Sequence, residues 1–342
     1  MDLLVTTFGS RIRRQREQIV VEIPNEETRR YSARRLERIL IAGKSSISSD
    51  AIRLALQHGV DVSFLGQFGK PEARLVPASP TGATKVRHAQ FRAALMGGAF
   101  WYARQFVFGK IKNQIAFAEC VERDSGSVLA MQEALRRAED AGDVGSLMSA
   151  EGRAADVYFS GVWRQTMNGA GRDQGGKDPV NAALNYGYGV LYNEVERALL
   201  HVGLDPYVGM LHSERYGKPS LTLDFIEEFR VPCVDAVLLP LFARGLFAPR
   251  DTTPSEGKVL LSTYGRHKIL RELFANLNEI VAWQSAERHL KGVITEQAHA
   301  LARSLQLETP SYQPFVAPVS FYEKCLSSHR HLVDEPQSAA AC

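Results

Sequence analysis

Pro77-Ala-Ser-Pro80-Thr-Gly82-Ala-Thr84 sets two prolines and a glycine within six residues, and the chain reads differently on its two sides. Proline fixes φ and withholds a backbone donor, while glycine tolerates conformations that other residues avoid. Such a run interrupts regular structure and is the best candidate for a domain boundary. It divides the sequence into a first domain over residues 1–80 and a second over 81–332.

Upstream, Leu3–Thr7, Gln18–Ile23 and Arg38–Ile41 are short apolar or β-branched segments separated by turns, which is the signature of strands. Val60-Asp-Val-Ser-Phe-Leu65, between Gly59 and Gly66, adds a buried strand. One helix interrupts them at about Ser49–His58, with Ser48 or Ser49 as its cap and Gly59 at its end. Downstream the period lengthens. Val86–Phe108 lacks proline, and Phe91, Leu95, Trp101 and Phe106 are spaced for one buried helical face. Leu129–Ala141, Gly145–Met167, His267–Asn276 and Thr295–Leu305 also read as helices. The clearest is Asp178–Val202, which has an N-capping aspartate, Pro179 in the first turn and Gly203 at the stop. Its apolar face runs through Val180, Leu184, Gly187, Leu191, Val195 and Ala198. The expected class is α+β: a small β-rich N-terminal domain followed by a larger all-α-helical C-terminal domain. The polar tail over residues 333–342 is expected to be disordered.

Bulk properties exclude little. The 342 residues carry a formal charge of +3, with 45% hydrophobic and 23% charged residues, an ordinary balance for a soluble protein. Cys120, Cys233, Cys325 and Cys342 are far apart with no CxxC pair, so neither a zinc site nor a disulfide framework is expected. Arg11, Arg13, Arg14 and Arg16 follow the N-terminus too soon for a signal peptide, and no apolar run is long enough for a membrane span. A cytoplasmic location is the expectation.

Chemistry concentrates in Gly209-Met-Leu-His212 and in Ser220-Leu-Thr-Leu-Asp224-Phe-Ile-Glu227-Glu228-Phe-Arg230. On a helix, Asp224, Glu227 and Glu228 at i, i+3 and i+4 project from one side, where like charges repel unless a cation sits among them. Carboxylates with one imidazole suit Mg²⁺ or Mn²⁺ better than Zn²⁺. The same acids also complement a helix dipole without any ligand. A third ligand is open at this point. Glu194 and Glu196 lie on the capped helix, where charges usually form a solvated face. Glu151 sits in the small-residue run Ser149-Ala-Glu151-Gly152-Arg-Ala-Ala155. Gly152 costs about 1 kcal/mol inside a helix, which either a close ligand or tight helix packing would justify. Lys85, Arg87, His88, Arg92, Arg104, Lys110 and Lys112, with the N-terminal arginines, could track a phosphate backbone or simply form a solvated surface.

Three ordered stretches together resemble one family. They are Asp178-Pro-Val-Asn-Ala-Ala-Leu-Asn-Tyr-Gly-Tyr-Gly-Val-Leu-Tyr192, Gly203-Leu-Asp-Pro-Tyr207-Val-Gly-Met-Leu-His212 and Ser220–Arg230. The family is the CRISPR-associated endonuclease/integrase of spacer acquisition, the larger of the two universal adaptation proteins. Ile47–Ile52, Gly59–Gly66, Leu261–Glu272 and Tyr312-Gln-Pro-Phe315 extend the likeness over essentially residues 1–332. The resemblance implies a metal held by Glu151, His212 and Glu227, with Asp224 as a supporting carboxylate and Mg²⁺ or Mn²⁺ as cofactor. It also implies a homodimer that acts on double-stranded DNA with a small partner adaptation protein, in a heterohexameric complex. The implied reaction is attack of a spacer 3′-hydroxyl on a phosphodiester at the edge of a CRISPR repeat. Two alternatives are a nucleic-acid-binding scaffold without chemistry and a helical metalloenzyme acting on small phosphoesters.

Overall fold

The computed structural model describes residues 1–75, 83–121, 126–164, 167, 171–212, 217–255 and 257–328. Most of the boundary run quoted above and the tail expected to be disordered lie outside them. The chain falls into two compact units. Met1–Thr81 with Asn185–Asn193 make up one, and Gly82–Leu184 with Glu194–Cys342 the other.

The first unit is built on two four-stranded sheets. β1 (Asp2–Val5), β5 (Arg38–Ile41), β7 (Asp61–Leu65) and β8 (Pro71–Leu75) lie in the order β1-β5-β7-β8, parallel except for β8. The second sheet runs β4 (Arg29–Ser32), β3 (Gln18–Glu22), β2 (Arg11–Gln15), β6 (Ser46–Ile47). Every residue of β5 is buried, as a central parallel strand requires. Even Arg38 is buried there, with Nη2 2.8 Å from Asp2 Oδ2. Ile12, Ile19, Val21, Ile39, Ile41, Leu54 and Val62 share one apolar core with α1 (Ser49–Gln57). The expected capping of α1 holds: the Ser48 hydroxyl accepts from Ala51 N, and Gly59 takes φ +71° just beyond the helix. β2 was not foreseen because arginines dominate it. Only Ile12 is buried, while Arg13 and Arg14 are exposed and pair with Glu22 and Glu17.

The second unit is mostly helical. It comprises α2 (Ala83–Leu95), α3 (Ala99–Val121), α4 (Gly126–Glu139), α5 (Val144–Gly161), both ends of α6 (Pro179–His201), α7 (Ser220–Phe225), α8 (Ala236–Ala243), α9 (Thr263–Leu277), α10 (Leu290–Leu305) and α11 (Val319–Ser328). The all-α expectation is corrected by two hairpins. β9 (Thr252–Ser255) pairs with β10 (Lys258–Leu261), and β11 (Ile280–Trp283) with β12 (Ala286–His289). A proline in β9 and the brevity of all four strands hid them. The expected helix Val86–Phe108 is also broken, because Gly97 takes φ +84° between α2 and α3. The proposed common face is thereby split: Phe106 is buried, but Phe91 and Leu95 are 41% and 81% exposed.

α6 begins as expected, with the Asp178 side chain accepting from Asn181 N and Pro179 in the first turn. It is buried almost all round rather than along one stripe. Tyr186 and Tyr188 are core residues, and Glu194, expected on a solvated face, is only 3% exposed. Among the described residues no helix is long and apolar enough to cross a membrane, and Cys120, Cys233 and Cys325 are free thiols.

Candidate active site

α7 lasts only six residues before the backbone tightens into a 3₁₀ turn at Ile226–Glu228 and then widens into a π turn at Val231–Asp235. A change of helical pitch rotates successive side chains off the face that regular i, i+3, i+4 spacing would give them. The three acids therefore do not share one side, as the sequence pattern suggested. Asp224 turns toward His212, Glu227 toward Lys110, and Glu228 into the core.

Asp224 is wholly buried and organises the end of the Gly209–His212 segment. Its Oδ2 accepts from Leu211 N at 2.9 Å and from Met210 N, while Oδ1 accepts from His212 N at 3.0 Å. The His212 ring closes the arrangement, with Nδ1 2.5 Å from the same Oδ1. A carboxylate can only accept, so Nδ1 carries the proton and Nε2 is the nitrogen open to a ligand. There is no room for a side chain at Gly209, where a Cβ would press on Ser220 and on the Asp224 carboxylate. A glycine at that position follows from this close approach.

Glu151, on α5, and Glu227 converge on a single ammonium. Lys110, on α3, bonds to Glu151 Oε1 and lies 2.8 Å from Glu227 Oε2, while Arg230 Nε donates to Glu227 Oε1 at 2.9 Å. Burial alone would raise the Glu227 carboxyl. The charges of Arg230 and Lys110 outweigh it and hold the group below the ordinary carboxylate range. For Lys110 the balance is similar: burial pulls the ammonium down, but Glu227 and Glu151 carry it above its usual value. Glu227 Oε2 is buried, and the Lys110 ammonium 2.8 Å away is the positive charge that it faces. Gly152, beside Glu151, is exposed and a Cβ there would meet nothing, so tight packing does not account for it.

Glu228 does a different job from its neighbour. Tyr312 OH donates to Oε1, Phe315 N donates to Oε2 at 2.7 Å, and Gln297 Nε2 donates to Oε2 at 3.2 Å. Burial pushes this carboxyl up to about 8 despite those three donors. Asn113 ties the same region together: Nδ2 donates to Gly109 O, Glu228 O and Phe315 O, and Oδ1 accepts from Ala317 N and Tyr322 OH.

The sequence-derived ligand set thus comes together in part. Glu151 and Glu227 meet at one cationic point. His212 is braced by Asp224. Among the described residues, no three or more His, Cys, Asp or Glu side chains are gathered as a ready-made metal site. The donors still fit a hard divalent ion: two carboxylate oxygens already gather around positive charge, and Nε2 of a fixed imidazole is open nearby. Sequence reasoning missed the place of Lys110, which it grouped with the surface cations. The signal was there in α3, where Phe106, Val107, Ile111 and Gln114 set the buried side of the helix. Lys85, Arg87, His88 and Arg92 do lie exposed along α2.

The profile of the family described as CRISPR associated protein Cas1 matches residues 3–274. A CRISPR-associated endonuclease Cas1 of Thermus thermophilus is 35% identical over 321 residues, covering 92% of this chain and 99% of its own. A second from the same organism is 36% identical over 294 residues, covering 82% and 86%. Among solved structures, a casposase bound to integration product superimposes with a TM-score of 0.79 at 26% identity, over 91% of this chain and 92% of that one. A Cas1 protein from Thermotoga maritima gives 0.76 at 19% identity, over 91% and 99%, a likeness of fold. With a profile match spanning most of its length and whole-chain relatives above 30% identity, the chain belongs to the CRISPR-associated Cas1 family.

Proposed function

We propose that this protein is a divalent-metal-dependent DNA endonuclease and integrase that joins short DNA duplexes into a CRISPR array. The observation that carries the reading is the convergence of Glu151 and Glu227, from distant elements, on one cationic point, with His212 held nearby by Asp224. The names of the relatives, endonucleases and a casposase bound to integration product, support the same class of chemistry.

Joining exchanges one phosphodiester for another. A 3′-oxygen forms a bond to phosphorus, the bond from phosphorus to the old 3′-oxygen breaks, and the proton passes from the attacking to the leaving oxygen. With water in place of the 3′-hydroxyl, the same exchange cuts the strand. Glu151, Glu227 and His212 Nε2 would hold Mg²⁺ or Mn²⁺, which would supply positive charge beside the phosphate and acidify the attacking hydroxyl. Asp224 fixes the tautomer and direction of His212, and Arg230 orients Glu227. By the family resemblance the protein works in the cytoplasm, as a homodimer bridged to others by the small partner adaptation protein.

The test is joining of a labelled duplex to a repeat-bearing plasmid with Mn²⁺. Glu151→Ala, His212→Ala and Glu227→Ala should each lower the rate by on the order of a hundredfold or more, with the circular dichroism spectrum unchanged. A His212→Ala protein that joins at the wild-type rate would sink the assignment. A DNA-positioning scaffold without chemistry is the second reading, and the occupation of both carboxylates by Lys110 favours it. In that case all four proteins bind the duplex and none joins it.

A further inference from the structure

The side chains of Glu151 and Glu227 are 22% and 7% exposed, and that of Lys110 is 13% exposed. Two carboxylates this sheltered need positive charge close by, because desolvation of an unbalanced pair is far more costly than that of a neutral group. Lys110 and Arg230 provide it, and the four charges sum to zero. A divalent ion added to this set without any departure would leave a net charge of +2 in a poorly hydrated space. The geometry conflicts as well, since the Lys110 nitrogen touches both carboxylates and fills the space between them. Arg230 does not stand in the way, because it takes the other oxygen of Glu227. A lysine head on a flexible four-carbon stem can swing aside more readily than a planar guanidinium held in a fork.

We propose that Lys110 is the built-in counter-ion of the metal-free centre, and that a divalent cation binds by displacing its ammonium from between Glu151 and Glu227. The inference rests on the metal reading given above. It gives one residue two opposing effects. Lys110 keeps the two carboxylates gathered while no ion is present, and it raises the concentration of ion needed to take its place. If the ammonium-free arrangement makes up about a tenth of the metal-free protein, apparent affinity is weakened about tenfold.

The experiment uses the full-length chain, wild type and Lys110→Met, in EDTA and in graded Mn²⁺. Bound Mn²⁺ is read from loss of the free-ion electron paramagnetic resonance signal, and Tm from calorimetry. Lys110→Met should bind Mn²⁺ about tenfold more tightly, melt lower than wild type in EDTA, and gain more in Tm when Mn²⁺ is added. A second measurement needs no variant. Reductive methylation of Lys110 in the wild type, followed by mass spectrometry, should be slow in EDTA and several-fold faster in saturating Mn²⁺. Equal Mn²⁺ affinity in the two proteins, or Lys110 labelling that Mn²⁺ leaves unchanged, overturns the displacement while the metal reading stands. Mn²⁺ bound by neither protein overturns both.

Discussion

Cys120 shows how far local surroundings can move a single group. It lies on α3 with its thiol toward Ala116 O, and burial pushes it up to about 11, with Glu323 and Glu119 adding to the rise. At pH 8 such a thiol is ionised in roughly one molecule in a thousand, against about one in four for a free cysteine. Alkylation of the Cys120 peptide by iodoacetamide, followed by mass spectrometry, should still be accelerating between about pH 9 and 11. A rate that levels off by pH 9 contradicts this. The sign for stability follows: a pKa raised in the fold means that stability is complete below the unfolded value. It is lost as the pH climbs through the folded one.

The 3₁₀ turn at Ile226–Glu228 is held by a neighbour that no local pattern would pick out. Asn113 spends its whole carboxamide on backbone and on Tyr322, joining α3 to the turn and to the segment around Phe315. Asn113→Ala strands the buried Ala317 N–H and the Phe315 carbonyl, at a cost of about 1–3 kcal/mol for each group left unpaired. A lower urea midpoint with unchanged slope is the expected result, and a wild-type midpoint would show that the clasp is dispensable.

This element also marks what was and was not legible beforehand. The capped ends of α1 and α6 were readable because Ser48, Asp178 and Pro179 act on their own turns. Asp224, Glu227 and Glu228 were recognisable as unusual, but their separation onto different sides depends on a change of pitch that sequence spacing does not encode. Spacing alone does not tell Glu228, which serves the core, from Glu227; only the family resemblance singled out Glu227. Lys110 was misread because its partners, Glu151 on α5 and Glu227 in the turn, lie far from it in the chain.

At the scale of the molecule, the β-rich unit is not a continuous piece of sequence, because Asn185–Asn193 cluster with it. Arg74 donates to Asn193 O at 3.0 Å and to Asn193 Oδ1 at 2.6 Å, and a Cβ on Gly189 would overlap the Phe68 carbonyl oxygen. Backbone cannot yield there as a flexible side chain would, so Gly189→Ala should cost about 1–3 kcal/mol through forced separation. Denaturant unfolding measures it, and a shift within about 0.5 kcal/mol would mean the helix is free to move away.

That discontinuity bears on the order of events at the ribosome. The eight strands emerge first, yet the helical turns that complete their unit are made more than a hundred residues later. Until residue 193 leaves the exit tunnel, the nascent sheets wait with one wall missing, so the first part translated is not the first part finished.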